Sequence, residues 1–270
     1  MSALTASLPM YNLPEMAAAN AAFWRALSAE LADEGCEDLP HAPASARPPV
    51  PDEIGTTTLF SQTCGYPLQT IYRGQYQLLG VPTYDADGCG EATHCAFILV
   101  REGSSYQKPD DLRGTVFALN SRHSNSGMNL PRLLFARLAE RRPFFSRVIE
   151  TGGHNASIER VAAGAADCAS IDCLTYAFLQ DHRPAFVAGL RILAATPSSP
   201  AIPFITAAAT KPQLVAALRR ALFRMAADPD RRPVLHALRI RTISPIDPGA
   251  YQILLDYERQ AAELGYPELA

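Results

Sequence analysis

Thr115-Val116-Phe117-Ala118-Leu119-Asn120-Ser121-Arg122-His123-Ser124-Asn125-Ser126-Gly127-Met128-Asn129 decides how this chain is read. An apolar run of strand length passes through small hydroxyl and amide residues into an amphipathic stretch that begins near Met128 and carries Leu130, Leu133, Leu134 and Leu138 at helical spacing. A strand that feeds a helix this way leaves the helix's first N–H groups open, and Ser124, Asn125 and Ser126 can donate beside them. Gly127 admits close approach of a ligand to the backbone. The same residues also suit an ordinary polar N-cap.

Working outward, strands and helices alternate, which predicts α/β architecture with parallel sheets and ligands at the carboxyl ends of strands. Thr5 to Tyr11 reads as a first strand, followed by Pro14 at a helix start and Phe23, Leu27 and Leu31 on one helix face. Trp24 beside that stripe reads as packing. Leu39 to Pro51 reads as a loop with at most a short strand. Strands are expected at 57–62, 76–82, 95–100, 115–119, 148–151, 168–171, 190–196 and 204–206. Thr210-Lys211-Pro212-Gln213 reads as a capping box before Leu214, Leu218 and Leu222, and Asp247-Pro248 as the cap of a last helix. Asn155 or Ser157 is the expected cap of the helix after Gly152-Gly153-His154.

The 270 residues are 48% hydrophobic and 19% charged, with a formal charge of −3. That composition excludes a disordered chain, and no stretch approaches the ~20 apolar residues that span a bilayer. No concentrated Lys/Arg tract points to nucleic acid. The opening residues, Met1 to Pro9, carry no Lys or Arg and no export signal is visible in them. No cofactor or metal is expected: Cys89 and Cys95 with His94 between them lack a second matching pair. Six cysteines are too few for a disulfide scaffold in a chain of this length. An enzyme could be assembled on paper from Cys64, His154 and the serine seat, but no nucleophile elbow, phosphate loop or dinucleotide fingerprint supports it, and no catalytic residue is assigned.

Five segments, in order along the chain, resemble the solute-binding proteins of phosphate and phosphonate ABC transporters: Ser61-Gln62-Thr63-Cys64-Gly65-Tyr66-Pro67-Leu68, Pro82-Thr83-Tyr84-Asp85, Asp111-Leu112-Arg113-Gly114, Ser124-Asn125-Ser126-Gly127-Met128-Asn129 and Ala166-Asp167-Cys168-Ala169-Ser170-Ile171-Asp172. The resemblance implies a two-lobed type 2 periplasmic-binding-protein fold that closes on its ligand in a central cleft. Lobe 1 is expected over residues 1–102 and 203–270, and lobe 2, with the anion seat, over 103–202. It also implies a small oxyanion as ligand (phosphonate, phosphate or phosphite-like), membrane subunits of an ABC transporter as partners, a periplasmic location, and a candidate Cys64–Cys89 bridge. If Met1 is the true start, a cytosolic sensor of the same fold is the alternative. Where the better-known phosphonate binders read Ser-Thr-Ser, Asn125 stands in the middle here. The expected ligand contacts are Ser124, Asn125, Ser126, Gly127, His154, Tyr66 and Tyr11, with Asp172 sorting the ligand's substituents.

Overall fold

The computed structural model describes residues 3–44 and 54–270. Most of the expected loop over 39–51, and Met1 and Ser2 of the opening reading, lie outside these residues. The chain divides into two compact units, one of Met1–Asp85, Gly90–Ala92 and Ala201–Ala250, the other of Ala86–Cys89, Thr93–Pro200 and Tyr251–Ala270.

Unit 1 is built on a five-stranded sheet ordered Thr5–Ala6, Thr58–Gln62, Phe204–Ala207, Tyr76–Tyr84, Ile240–Ser244. The first strand is two residues long rather than reaching Tyr11, because pairing with its parallel neighbour covers only Thr5 and Ala6. The Ala17–Asp33 helix lays its apolar stripe on this sheet. Phe23, Leu27 and Leu31 are fully buried, and Phe23, Phe60 and Phe204 stack with ring centroids 5.1 to 6.1 Å apart. Trp24 joins them and donates its Nε1–H to the Pro40 carbonyl at 2.8 Å, so its single polar group is paired within the core. The Pro212–Ala227 helix follows the expected stripe, but no side chain caps it: the Thr210 hydroxyl pairs with Thr206 at 2.8 Å instead. Pro212 removes one of the N–H groups such a cap would have satisfied.

Unit 2 carries a second five-stranded sheet, ordered Leu190–Ala195, Ala96–Arg101, Cys168–Asp172, Val116–Leu119, Arg147–Glu150. Neither sheet is all parallel. Ala96–Arg101 runs against both of its neighbours, and Phe204–Ala207 and Ile240–Ser244 run against theirs in unit 1. Periodicity marks a strand but carries no direction, and the strand that re-enters a unit need not follow the βαβ rule. Two expected memberships change for the same reason. Ala96–Arg101 pairs on both sides within unit 2, so the chain leaves unit 1 near Asp85 rather than near residue 102. The Ile253–Glu263 helix, expected in lobe 1, packs on the Leu130–Ala139 helix: Leu254 accepts from the Asn129 amide at 3.0 Å, and Arg132 pairs with Glu258 at 3.4 Å. Asp247 does cap as expected, although what it caps is the short Pro248–Gln252 turn ahead of that helix, through the Gly249 N–H at 2.8 Å.

The unit 2 core is aromatic. Phe117, Phe135, Phe144 and Phe145 form a cluster with centroid separations of 4.8 to 6.3 Å. Three parallel strands, Cys168–Asp172, Val116–Leu119 and Arg147–Glu150, lie side by side and each runs into a helix start at the same edge.

Phe60→Ala empties the centre of the unit 1 stack, and should cost about 3–5 kcal/mol in a chemical denaturation experiment, with an unchanged loss showing that the stack is not the core of that unit. A second expectation concerns the buried pair of His94 and Asp172, with Nδ1 2.9 Å from Oδ2. Burial opposes both charges, yet the hydrogen bond and mutual charge prevail, raising His94 and lowering Asp172. Stability should therefore fall as acid passes through the depressed Asp172 value below 3.8, and fall again as alkali passes through the raised His94 value above 6.5. In His94→Gln the alkaline limb should disappear from urea melts recorded against pH. Its persistence would assign that limb to another group.

Candidate functional site

The seat forms where Val116–Leu119 hands over to the Leu130–Ala139 helix. Asn125–Asn129 is a wide, π-type turn, and Ser124 is its N-cap. The Ser124 Oγ accepts the Gly127 N–H at 2.9 Å and the Asn120 Nδ2 at 3.1 Å, while its carbonyl accepts the Asn129 N–H at 3.1 Å. Among the described residues no acceptor is found for the N–H groups of Asn125 and Ser126, the first two of the turn, although both residues are buried. Buried N–H groups are almost always paired, so two together at a helix start are donors suited to an anion.

Of the expected contacts, Asn125 turns inward. Its amide donates to the Ser199 Oγ at 2.9 Å and accepts from Asn129 Nδ2 at 3.3 Å, which uses the side chain inside the protein and leaves only its backbone N–H for a ligand. Gly127 is required by a neighbour. A Cβ there would lie 1.8 Å from the Asn120 Oδ1, so the glycine makes room for the side chain that supports Ser124. Ser126 keeps a hydroxyl directed at the His154 Nε2, 3.1 Å away, and its carbonyl accepts the Ser170 hydroxyl at 2.6 Å.

His154 is the first residue of its helix. The N-cap is Gly153 in extended conformation with no side-chain cap; the expected Asn155 does not serve, and the Ser157 hydroxyl pairs with Thr151 at 2.7 Å instead. Burial lowers the pKa of His154 and outweighs the charge of Asp172, so the imidazole is neutral at neutral pH. Nε2 meets the Ser126 hydroxyl and, at 3.4 Å, the Asn120 amide nitrogen, and the ring also interacts with the Ser170 backbone.

Asp172 is fully occupied. Oδ1 accepts the N–H groups of Leu174 at 3.1 Å and Thr175 at 2.9 Å, and Oδ2 meets His94. The carboxylate thus caps its own helix, and it is neutralised by an imidazole, as an acid near an anion seat must be. The three adjacent strand ends differ in a way that matters: one helix start is closed by a carboxylate, one has no side-chain cap, and one has a hydroxyl cap that leaves the Asn125 and Ser126 N–H groups over. Tyr66 and Tyr11 belong to unit 1. Tyr66 is buried in the Gly65–Gln69 helix, and Tyr11 is packed edge-on against Tyr84 with centroids 5.6 Å apart. Asn120 and Ser170 do not read as site residues in the sequence, and His94 reads there only as a candidate metal ligand between Cys89 and Cys95, because isolated polar residues at strand ends carry no pattern. The one available signal was that Asn120 closes the apolar run ahead of the seat.

All six cysteines are free thiols, the alternative to the Cys64–Cys89 bridge that is a candidate for an oxidising compartment: Cys64 is buried in unit 1, and the Cys89 sulfur meets that of Cys173 at 3.5 Å. No group of three or more His, Cys, Asp or Glu side chains among the described residues is arranged to hold a metal ion, and His94 is committed to Asp172. No helix there is long and apolar enough to cross a membrane.

Among solved structures, a binding protein component of an ABC phosphonate transporter from Pseudomonas aeruginosa superposes with a TM-score of 0.79 at 14% identity, covering 97% of this chain and 87% of that one. The Prochlorococcus marinus protein PhnD1, in complex with methylphosphonate, gives 0.70 at 13% identity over 96% and 98%. A Xanthomonas citri protein bound to ATP gives 0.67 at 17% identity over 97% and 98%. These likenesses establish the two-lobed periplasmic-binding-protein fold. No curated protein matches the sequence. The sequence profile of the phosphonate ABC transporter periplasmic substrate-binding protein matches residues 63–251, which is more than half of the chain and includes the whole seat. The chain therefore belongs to that family, a family of transport proteins rather than enzymes.

Proposed function

We propose that this protein binds a small phosphorus oxyanion (a phosphonate, phosphate or phosphite-like compound) at the Ser124–Met128 turn and delivers it in the periplasm to the membrane subunits of an ABC-type uptake system. The observation that carries the ligand class is the pair of N–H groups of the buried residues Asn125 and Ser126, left without acceptors at a helix start beside the Ser126 hydroxyl. Ser126 supplies a hydroxyl, and His154 orients it. These donors are neutral, so a doubly charged tetrahedral head is held by converging dipoles. The methylphosphonate held by the Prochlorococcus relative is of this chemical class. Family membership supports the transport role and the periplasmic location.

Asn125 contributes through its backbone alone, and Asp172 acts at one remove by keeping the neighbouring helix start closed and His94 in place. The reading includes Tyr66 and Tyr11 as ligand contacts from unit 1, on the strength of the family resemblance.

Titration calorimetry with methylphosphonate, phosphate and sulfate tests the ligand class, and absence of heat with all three rejects it. Ser126→Ala should weaken binding by about 1.5–3 kcal/mol, the usual contribution of a hydrogen bond to a charged group, and leave the thermal midpoint in place. Ser124→Ala should lower both affinity and stability, the latter by about 1 kcal/mol, because its Oγ also caps the turn. If Ser126→Ala binds as well as the parent, the hydroxyl is not a ligand group. Tyr66→Phe keeps the ring and removes the oxygen. It should weaken methylphosphonate binding about tenfold, and undiminished affinity would remove Tyr66 from the site.

A further inference from the structure

Apart from the anion seat, unit 2 gathers three thiols in one place. The Cys89 and Cys173 sulfurs are 3.5 Å apart. The backbone ties the set together: the Cys95 N–H donates to the Gly88 carbonyl at 3.1 Å, and the Cys173 N–H to the Cys95 carbonyl at 3.2 Å. Gly88 is in the left-handed region with φ +81°, and a Cβ there would fall 2.8 Å from the Cys95 Sγ and the Phe97 Cζ and 3.0 Å from the Cys173 Cβ. Only glycine lets the chain pass this close above the sulfurs and deliver Cys89 beside Cys173. Exposure orders the three: Cys89 is half-buried, while Cys95 and Cys173 are buried.

Chemistry distinguishes them further. Cys173 is the first residue of its helix, and hydrogen bonding with the Cys89 and Cys95 thiols holds its pKa well below the ordinary thiol range while raising theirs. A sulfur at a helix start that is favoured as thiolate is the resolving nucleophile of the set, 3.5 Å from Cys89.

We propose that Cys89 and Cys173 are a redox modification site that closes to a disulfide by exchange with a small disulfide such as oxidised glutathione. Cys89, the reachable thiol, gives up its proton to water and attacks one glutathione sulfur, forming a mixed disulfide and expelling one glutathione thiolate. Cys173, its own proton also lost to water, attacks the Cys89 sulfur across 3.5 Å, forms the protein disulfide and expels the second glutathione as its thiolate. Two protein thiols are thereby oxidised and one small disulfide is reduced to two thiols, which take up the two protons. The closed bond joins positions 84 apart in sequence within unit 2, and fastens the Ala86–Cys89 segment to the start of the helix that Asp172 caps. Cys95 remains reduced.

The test is disulfide mapping of the whole protein. Reduced protein is incubated with oxidised glutathione, quenched in acid, denatured, alkylated and digested. The expected result is a cross-linked Cys89–Cys173 peptide pair, with four of the six thiols still alkylatable. Cys95→Ser should give the same pair. Cys173→Ser should instead stop at a stable glutathione adduct on Cys89. Six alkylatable thiols after oxidation, or a cross-link from Cys89 to Cys64 or Cys95 as the main product, would overturn the proposal. The wild-type map decides between these results even if a variant fails to fold.

Discussion

Two N–H groups without acceptors on buried residues, Asn125 and Ser126, are a deficit that a folded protein does not carry without compensation, and the parts of unit 2 around Asn125–Asn129 hold that deficit open. The wide turn could relax into a regular first helical turn and close its own hydrogen bonds. Several contacts prevent this. Ser124 fixes the Gly127 N–H, Asn120 fixes Ser124, Ser170 holds the Ser126 carbonyl, and Asn125 is anchored to Ser199 and Asn129. Asn129 in turn reaches the Leu254 carbonyl. An anion then finds donors that need no reorganisation, which is where a neutral site gains its affinity.

Electrostatics follow the same logic. An acidic chain binds an anion when the negative groups near the site are spent, and Asp172 is spent three times over, on two backbone N–H groups and on His94. His94 is charged by that contact, whereas His154 is kept neutral by burial. Two histidines in one unit thus have opposite roles. The one paired with a carboxylate neutralises it, and the one beside Ser126 is a neutral dipole in hydrogen-bond contact with a hydroxyl. A site built in this way discriminates by geometry and hydrogen-bond count more than by net charge.

Much of the architecture was legible in the sequence because apolar periodicity reports burial directly. The Phe23, Leu27 and Leu31 stripe, the strand runs and the position of the seat follow from it. Strand direction and unit membership were not legible, since Ala96–Arg101 and Ile253–Glu263 look the same from sequence whichever unit they join. Only pairing with Cys168–Asp172 in one case and the Asn129–Leu254 contact in the other decides the matter. Side-chain direction was also hidden. Asn125 sits in the anion motif and turns away from it, Gly127 accommodates Asn120, and the Thr210 hydroxyl prefers Thr206 to its own helix. Each of these is settled by a residue far away in sequence or by local backbone shape, which a motif does not record.

The middle position of the seat shows what the family's fold permits. Asn125 uses both ends of its amide to join the turn to Ser199 and, through Asn129, to Leu254 and Arg132. Under the proposed function, a hydroxyl in this position would be one more donor to the ligand, and the amide spends that hydrogen bond on the scaffold instead. Rigidity gained in this way preserves the open backbone N–H groups, which interact with any tetrahedral oxyanion alike. On that proposal the backbone of the turn sets the ligand class, and the groups around Ser126 and His154 select among its members.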